Sequence, residues 1–266
     1  MPELDVLRDR LRALGSMVVA FSGGADSAFL AYVAHDTLGA ERVTVATAIS
    51  PSLAGYELSD CRSLADEWGL RLVEVETDEI ASEDYRTNDG DRCYWCKSSL
   101  MDALVPLSLE RGGATVVLGV NVDDLGDHRP GQRAAAERGA VFPLVDAGFT
   151  KADVREWSRA LGLRTWDKPA AACLSSRIPY GTPVTVEVLG RIERAERALR
   201  DLGFRELRVR HYGDTARIEM PIEDLERVLA ARAEVVDAVR NAGYAYVTLD
   251  LEGLRSGNLN DALTRG

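Results

Sequence analysis

Phe21-Ser22-Gly23-Gly24-Ala25-Asp26-Ser27 decides how this chain is read. The residues leading into it, Met17 to Phe21, are a short continuous apolar run, the pattern of a buried parallel strand. An apolar helix follows from about Ser27. Between the two, small residues let the backbone wrap a phosphate group, and the helix N-terminus adds unpaired N–H donors and a positive dipole end. A plain glycine turn is the simpler interpretation of a lone glycine pair. The full pattern Ser-Gly-Gly-x-Asp-Ser, placed directly behind a first strand, favours phosphate binding instead. The loop contains no lysine, so it is not the G-x-x-x-x-G-K-S/T loop.

Outward from the loop, Leu4, Leu7, Leu11 and Leu14 recur at helical spacing and predict an opening helix. Val43 to Ile49, Leu70 to Val75 and Ala114 to Val120 read as further strands. Leu58, Cys61, Leu64, Ala65 and Trp68 share one face of an intervening helix. Strands alternating with helices predict an α/β domain with a parallel sheet, whose ligand sits at the carboxyl ends of the strands. The pattern changes at Tyr180-Gly181-Thr182-Pro183, a turn-rich break. Beyond it a helix (Val186 to Leu202), strands (Leu207 to His211 and Thr215 to Met220), a helix (Ile222 to Asn241) and a last strand (Tyr244 to Leu249) predict a smaller α+β domain. The expected division is therefore residues 1–180 and 181–266. No internal repeat or low-complexity tract is present.

Composition narrows the function. The 266 residues are 46% apolar, enough to bury a sizeable core. A net charge of -11 repels phosphate backbones, so no nucleic-acid partner is expected. No secretory leader and no apolar stretch of about 20 residues appear, which predicts a cytoplasmic protein with no membrane partner. The four cysteines are then reduced, and metal binding or catalysis outranks disulfide formation.

Two polar segments complete a candidate phosphate site. Gly119-Val120-Asn121-Val122-Asp123-Asp124 follows the fourth strand and offers carboxylates for magnesium. Thr150-Lys151-Ala152-Asp153 opens a helix with an N-cap threonine, and Lys151 is either a phosphate contact or a solvated lysine. The second strong feature is Arg92-Cys93-Tyr94-Trp95-Cys96-Lys97. Cys-x-x-Cys brings two thiolates within reach of one metal or cluster. Cys173, in Ala172-Cys173-Leu174-Ser175-Ser176-Arg177, is a third thiol. A [4Fe-4S] cluster with one open iron, a zinc ion with a fourth ligand, and a redox dithiol all remain compatible with these residues. Cys61, on an apolar helix face, reads as a small buried hydrophobe.

The glycine loop resembles the PP-loop of the N-type ATP pyrophosphatases. That resemblance implies that ATP is split to AMP and pyrophosphate while a substrate oxygen is adenylated. Taken with the Cys93-x-x-Cys96 segment, Asn121 to Gly131, Ala172 to Gly181 and the closing Gly253-Leu254-Arg255-Ser256-Gly257-Asn258-Leu259-Asn260, the chain resembles the LarE family along essentially its whole length. The resemblance implies a PP-loop domain with a smaller α+β domain. It also implies an ATP-dependent sulfur transferase that converts the carboxylates of pyridinium-3,5-biscarboxylic acid mononucleotide to thiocarboxylates, in building a nickel-pincer nucleotide cofactor for lactate racemase. The family's two sulfur sources leave two outcomes. Either Cys173 gives up its own sulfur, or Cys93, Cys96 and Cys173 hold a [4Fe-4S] cluster that carries sulfide from an external source. Three cysteines point to the cluster.

On this reading Ser22, Gly23, Gly24, Asp26, Ser27, Gly119 and Asp124 bind ATP and Mg2+, with Asp26 and the three cysteines carrying catalysis. Trp95, Lys97, Ser176, Arg177, Glu196, Arg208 and Arg210 are the expected substrate contacts. Arg208 and Arg210 alternate along a strand and share a face, where a guanidinium pair grips phosphate with fork-like bonds. Arg208, Arg210, Lys97 and Glu196 have a plainer role as solvated surface, and Trp95 as packing under a loop. The resemblance further implies a homo-oligomer, a hexamer. The rivals are a tRNA-thiolating PP-loop enzyme, an amidating ligase that has no need of Cys-x-x-Cys, and a non-catalytic metal- or nucleotide-binding protein.

Overall fold

The computed structural model describes residues 2–126, 130–169 and 172–255. Asp127 to Arg129, Ala171 and the Ser256 to Asn260 part of the closing segment lie outside the described residues. In chain order the elements are α1 (Leu4–Leu14), β1 (Met17–Ala20), α2 (Ala25–Leu38), β2 (Val43–Ile49), α3 (Gly55–Trp68) and β3 (Leu72–Glu76). Next come α4 (Glu83–Thr87), α5 (Arg92–Glu110), β4 (Thr115–Leu118), α6 (Pro130–Glu137), α7 (Pro143–Asp146) and α8 (Lys151–Ala160). The remainder is α9 (Val186–Asp201), β5 (Arg208–Tyr212), β6 (Thr215–Glu219), α10 (Leu225–Ala230), α11 (Arg232–Asn241) and β7 (Tyr246–Leu249).

The chain divides into two units. The first comprises Met1–Ser82 and Asp91–Ala171, the second Glu83–Gly90 and Ala172–Gly266. The first unit is built on a four-stranded sheet in the order β3-β2-β1-β4, parallel throughout. β1 and residues 116–118 of β4 are apolar on both faces because both faces are covered, whereas β3, at one edge, carries Glu74 and Glu76. Met17, Val19, Val43, Val45 and Val117 pack with α1 and α2, whereas Val18, Ala46, Val116 and Leu118 pack with Leu100, Met101 and Leu104 of α5. The chain leaves β1 toward β2 on one side, and β4 lies on the other, so the crevice between the carboxyl ends of β1 and β4 is the topological switch point where α/β sheets bind ligands. The expected α/β class with a parallel sheet is what the structure shows.

The second unit holds a three-stranded sheet, β5-β6-β7, in which β5 and β6 are antiparallel and β6 and β7 parallel. Val209, Ala216 and Ile218 pack on Ala195 and Leu199 of α9 and Val235 and Val239 of α11. One expectation needs correction: Ile222 to Asn241 is not one helix. A 3-10 turn (Ile222–Asp224), α10 and α11 divide it, with Ala231 at φ -95° and ψ 25° between the two helices. The long helix α5, which carries Cys93 and Cys96, has no counterpart in the sequence reading.

Candidate active site

The loop after β1 is folded back on itself. Ser27 Oγ accepts from the Ser22 backbone N–H at 3.2 Å, lies 3.0 Å from Ser22 Oγ and donates to the Gly24 carbonyl at 3.2 Å. Gly23 sits at φ +66°, a conformation that glycine alone adopts readily, and it is buried. A Cβ at Gly23 would lie 2.9 Å from Cys61 Sγ, so the thiol forms the floor of the loop. Gly24 is the N-cap of α2 and has no side chain to satisfy the first N–H groups of the helix, the kind of donors that suit an anion.

Across the crevice, the segment after β4 meets the loop. Gly119 has a packing role: a Cβ there would stand 2.7 Å from the Ser27 backbone nitrogen. Asn121 is fully buried and donates through Nδ2 to Asp26 Oδ1 at 3.1 Å, while its backbone N–H donates to Asp124 Oδ2 at 3.2 Å. Burial pushes the Asp26 carboxyl above its ordinary value against the Asn121 bond, and the nearby Asp124 charge adds to the rise. Lys151 pairs with Asp124 at 3.0 Å, and its backbone N–H bonds Asp123 at 2.8 Å. Thr150 and Asp153 form the capping box of α8. Two carboxylates with a cation beside a helix N-terminus suit a magnesium-bound polyphosphate.

One residue absent from the sequence reading belongs here. Lys168 Nζ donates to the Gly23 carbonyl at 3.1 Å, from 145 residues downstream. It also donates to Glu57 Oε2 at 2.9 Å and Asp60 Oδ2 at 2.7 Å, both on α3. Burial lowers the lysine pKa, but the Asp60 and Glu57 bonds outweigh it and the net shift is upward. Asp60 is also held by Arg164 at 2.7 Å. No periodicity or motif marks a lysine in a loop before a proline, so local pattern could not find it.

The cysteines fall into distinct settings. Cys93 and Cys96 lie near the start of α5, about one helical turn apart, exposed and half-buried respectively. A helix N-terminus favours thiolates, so the pair suits metal or cluster ligation. Trp95 packs edge-on against Tyr94, with centroids 5.2 Å apart. Lys97 packs over α6, where a Cβ on Gly131 would come within 2.8 Å of its Cγ. Cys173 is exposed in the second unit. The three thiols were expected to share a cluster. Among the described residues, no group of three or more His, Cys, Asp or Glu is gathered to hold a metal ion.

In the second unit, arginines hold the turn carrying Cys173. Arg177 Nη1 donates to the Ala172 carbonyl at 2.5 Å and the Cys173 carbonyl at 3.1 Å. Its Nε and Nη2 make a two-pronged pair with Glu196 at 2.8 and 3.1 Å, and both side chains are almost wholly buried. Glu196 also accepts from the Val209 backbone N–H at 3.0 Å, so it orders the start of β5. Arg210, anchored on buried Glu219, donates Nη1 to the Ser176 carbonyl at 2.6 Å. Ser176 Oγ donates to the Cys173 carbonyl at 2.7 Å. Arg177, Glu196 and Arg210 thus build this turn through buried ion pairs. Arg208 is half-buried and bonds the Arg255 carbonyl at 3.0 Å. Burial, then the Arg177 and Arg210 charges beside it, lower its pKa. Behind the turn, Tyr85 and Ser175 hydroxyls meet at 2.6 Å, and Asn88 Nδ2 donates to the Pro179 and Thr182 carbonyls at 2.8 Å each.

Residues 3–90, which include the glycine loop, match the NAD synthase family model. An uncharacterised Synechocystis protein is 47% identical over 265 residues, covering 99% of this chain and 98% of its own length. The pyridinium-3,5-bisthiocarboxylic acid mononucleotide synthase of Lactiplantibacillus plantarum is 38% identical over 255 residues, 96% of this chain and 92% of that enzyme. An uncharacterised Methanocaldococcus jannaschii protein is 28% identical over 240 residues, 90% of this chain and 91% of its own.

Proposed function

The chain belongs to the LarE family, and on that premise we propose that it makes thiocarboxylates from pyridinium-3,5-biscarboxylic acid mononucleotide at the expense of ATP. The kinship supports sulfur transfer in pyridinium-bisthiocarboxylate synthesis, and the NAD synthase match over residues 3–90 supports an ATP-using loop. The observation that carries the reading is the crevice itself. Gly23 and Gly24 leave the N-terminus of α2 without a side-chain cap, Asp26 lies in its first turn, and Asn121 and Asp124 stand opposite. In the proposed first step a substrate carboxylate oxygen attacks the α-phosphorus of ATP, the bond to the bridging oxygen breaks, and pyrophosphate leaves. The loop N–H groups hold the departing charge as it develops. Asp26 and Asp124 are the residues that would hold Mg2+, which neutralises phosphate charge when bound. In the second step a sulfur nucleophile attacks the acyl carbon and AMP departs, leaving the thiocarboxylate.

For the sulfur source, the donor chemistry fits a cluster in part: none of the three thiols is in a disulfide, and none is deeply buried. Cys93, Cys96 and Cys173 would hold it. When bound, a [4Fe-4S] cluster with three protein ligands supplies an iron open to sulfide. Arg208, half-buried beside the Cys173 turn, is the stronger candidate for the substrate phosphate, because Arg210 already serves Glu219 and Ser176. A homo-oligomer and a cytoplasmic setting belong to the same proposal. No described helix is long and apolar enough to cross a membrane.

The test is pyrophosphate release from ATP, with and without the pyridinium biscarboxylate mononucleotide. Release that depends on that substrate is expected. Release indifferent to it would overturn the assignment and favour the other PP-loop chemistries. Intact-mass spectrometry after anaerobic turnover with sulfide then separates the sulfur sources. An unchanged polypeptide and several turnovers are expected. Conversion of Cys173 to dehydroalanine in cluster-loaded protein would restore the sacrificial mechanism.

A further inference from the structure

The phosphate loop has a gap in its physics. It contains no lysine, and its central residue, Gly23, is the residue type whose backbone is least restrained by its own side chain. The peptide joining Gly23 to Gly24 turns with ψ of Gly23 and φ of Gly24, and glycine on both sides leaves that rotation little restrained. The choice matters, because a planar trans peptide points its C=O and N–H in opposite directions. With the Gly23 carbonyl turned inward, the loop would meet phosphate oxygens with a lone pair. With that carbonyl turned away, the Gly24 N–H faces them.

Lys168 supplies what the loop cannot. We propose that Lys168 is a positioning residue for ATP binding: it takes the Gly23 carbonyl and thereby keeps the Gly24 N–H directed at the polyphosphate. An ammonium has three donors, and here they go to the Gly23 carbonyl, Glu57 and Asp60. The two α3 carboxylates fix the lysine on two sides, and Arg164 fixes Asp60 in turn. The Lys168 charge is consequently matched locally by carboxylates. Its role toward phosphate is to orient the loop, and the direct donors are the loop's own N–H groups. Cys61 closes the floor from below, so the carbonyl has a defined seat.

This inference rests on the ATP-binding assignment, and the experiment separates the two. Calorimetry on the full-length protein measures Kd for ATP with Mg2+ and Kd for AMP, in wild type, Lys168→Met, Lys168→Arg and Asp60→Asn. AMP lacks the phosphates that the loop grips, so a fault confined to the loop weakens ATP alone. For Lys168→Met the expected result is a rise of about tenfold or more in the ATP Kd, the scale of one charge-assisted bond, with the AMP Kd unchanged. Lys168→Arg, which can still donate to the carbonyl, should restore most of the ATP affinity. Asp60→Asn, which removes one anchor and keeps the lysine, should show a smaller rise in the same ratio; it carries the test if Lys168→Met does not fold. ATP binding unaltered in Lys168→Met, or equal losses for ATP and AMP, overturns the positioning role while leaving the loop assignment standing. Failure of wild type to bind ATP overturns the assignment and this inference with it.

Discussion

Two short loops carry the proposed chemistry, and they are built by opposite means. The loop at residues 21–27 is made of small residues. Its shape follows from a glycine at positive φ, a helix start without a side-chain cap, and two serine hydroxyls bonding within the loop. The turn at residues 172–177 is made by charge. Buried Arg177 and Arg210, each anchored on a buried glutamate, donate to three of its carbonyls. Both loops nevertheless use one device, a cation held by carboxylates and pointed at a backbone carbonyl. The difference lies in what holds the geometry. The first loop is local, with Lys168 as its distant support. The second exists only because α9, β5 and β6 bring Glu196, Arg210 and Glu219 to it.

The sharpest way to break the comparison is therefore to remove a charge from the second loop. Arg177→Met leaves Glu196, which is 1% exposed, as an uncompensated buried carboxylate. Removing one partner of such a pair typically costs about 3–5 kcal/mol. Urea unfolding should show a loss of that size, and a second-unit transition at markedly lower denaturant is the expected form. A variant as stable as wild type would mean that the turn does not depend on its ion pairs.

The corresponding blow to the first loop is chemical. Asp26→Ala should leave the fold in place and reduce substrate-dependent pyrophosphate release by about 10²-fold or more, the usual penalty for losing one transition-state electrostatic contact. Undiminished release would remove Asp26 from the site. A smaller, purely steric change probes the same crevice. Gly119→Ala places a Cβ 2.7 Å from the Ser27 nitrogen, so β4 and α2 must separate. Overpacking of this kind costs about 1–3 kcal/mol, and thermal melting should fall accordingly. An unshifted melting temperature would show that the two segments have slack between them.

The contrast also explains what could be read in advance. The first unit announces itself because its central strands are short, largely apolar runs: Val43–Ile49 in the structure coincides with the run in the sequence. The glycine loop is legible for the same reason, since its physics is contained in consecutive residues. Three things were hidden. Helix α5 mixes Cys93, Cys96 and Lys97 with apolar residues and runs through Pro106, so its period is blurred. Lys168, Glu57 and Asp60 meet at Gly23 only through tertiary folding. Arg177 and Glu196 were visible as candidate substrate contacts, but nothing local tells that they satisfy each other inside the protein. Long-range ion pairs have no sequence period.

Arg208 and Arg210 can now be told apart, although strand alternation makes them look equivalent. Arg208→Ala should weaken binding of the pyridinium mononucleotide about tenfold by calorimetry while leaving stability nearly unchanged. Arg210→Ala should instead destabilise, because Glu219, which is 0% exposed on its side chain, would lose a guanidinium that pairs with it at 2.9 Å. Equal effects of the two variants on both measurements would return them to a single phosphate-gripping pair.

The gentlest probe compares the thiol under the first loop with the thiol on the second. Cys61 is fully buried beneath Gly23, whereas Cys173 is exposed. Burial pushes the Cys61 thiol up to about 11, against the pull of the Thr47 hydroxyl and Lys168. Near pH 8 only about one Cys61 in a thousand would then be thiolate, and the thiolate is the reactive form. Iodoacetamide at pH 8 on cluster-free protein should modify Cys173 and spare Cys61, as peptide mass mapping would show. The pH sense follows from the raised value. The fold favours the neutral thiol, so the contribution of Cys61 to stability is complete below its ordinary value of 9.0 and is lost as pH rises through about 11. Alkylation of Cys61 should begin only in that window. Saturating Mg-ATP should delay it further, because a ligand on the loop stabilises the closed floor. Modification of Cys61 and Cys173 at equal rates at pH 8 would show that the floor opens readily, and the glycine loop would then owe its shape to its ligand and not to the fold.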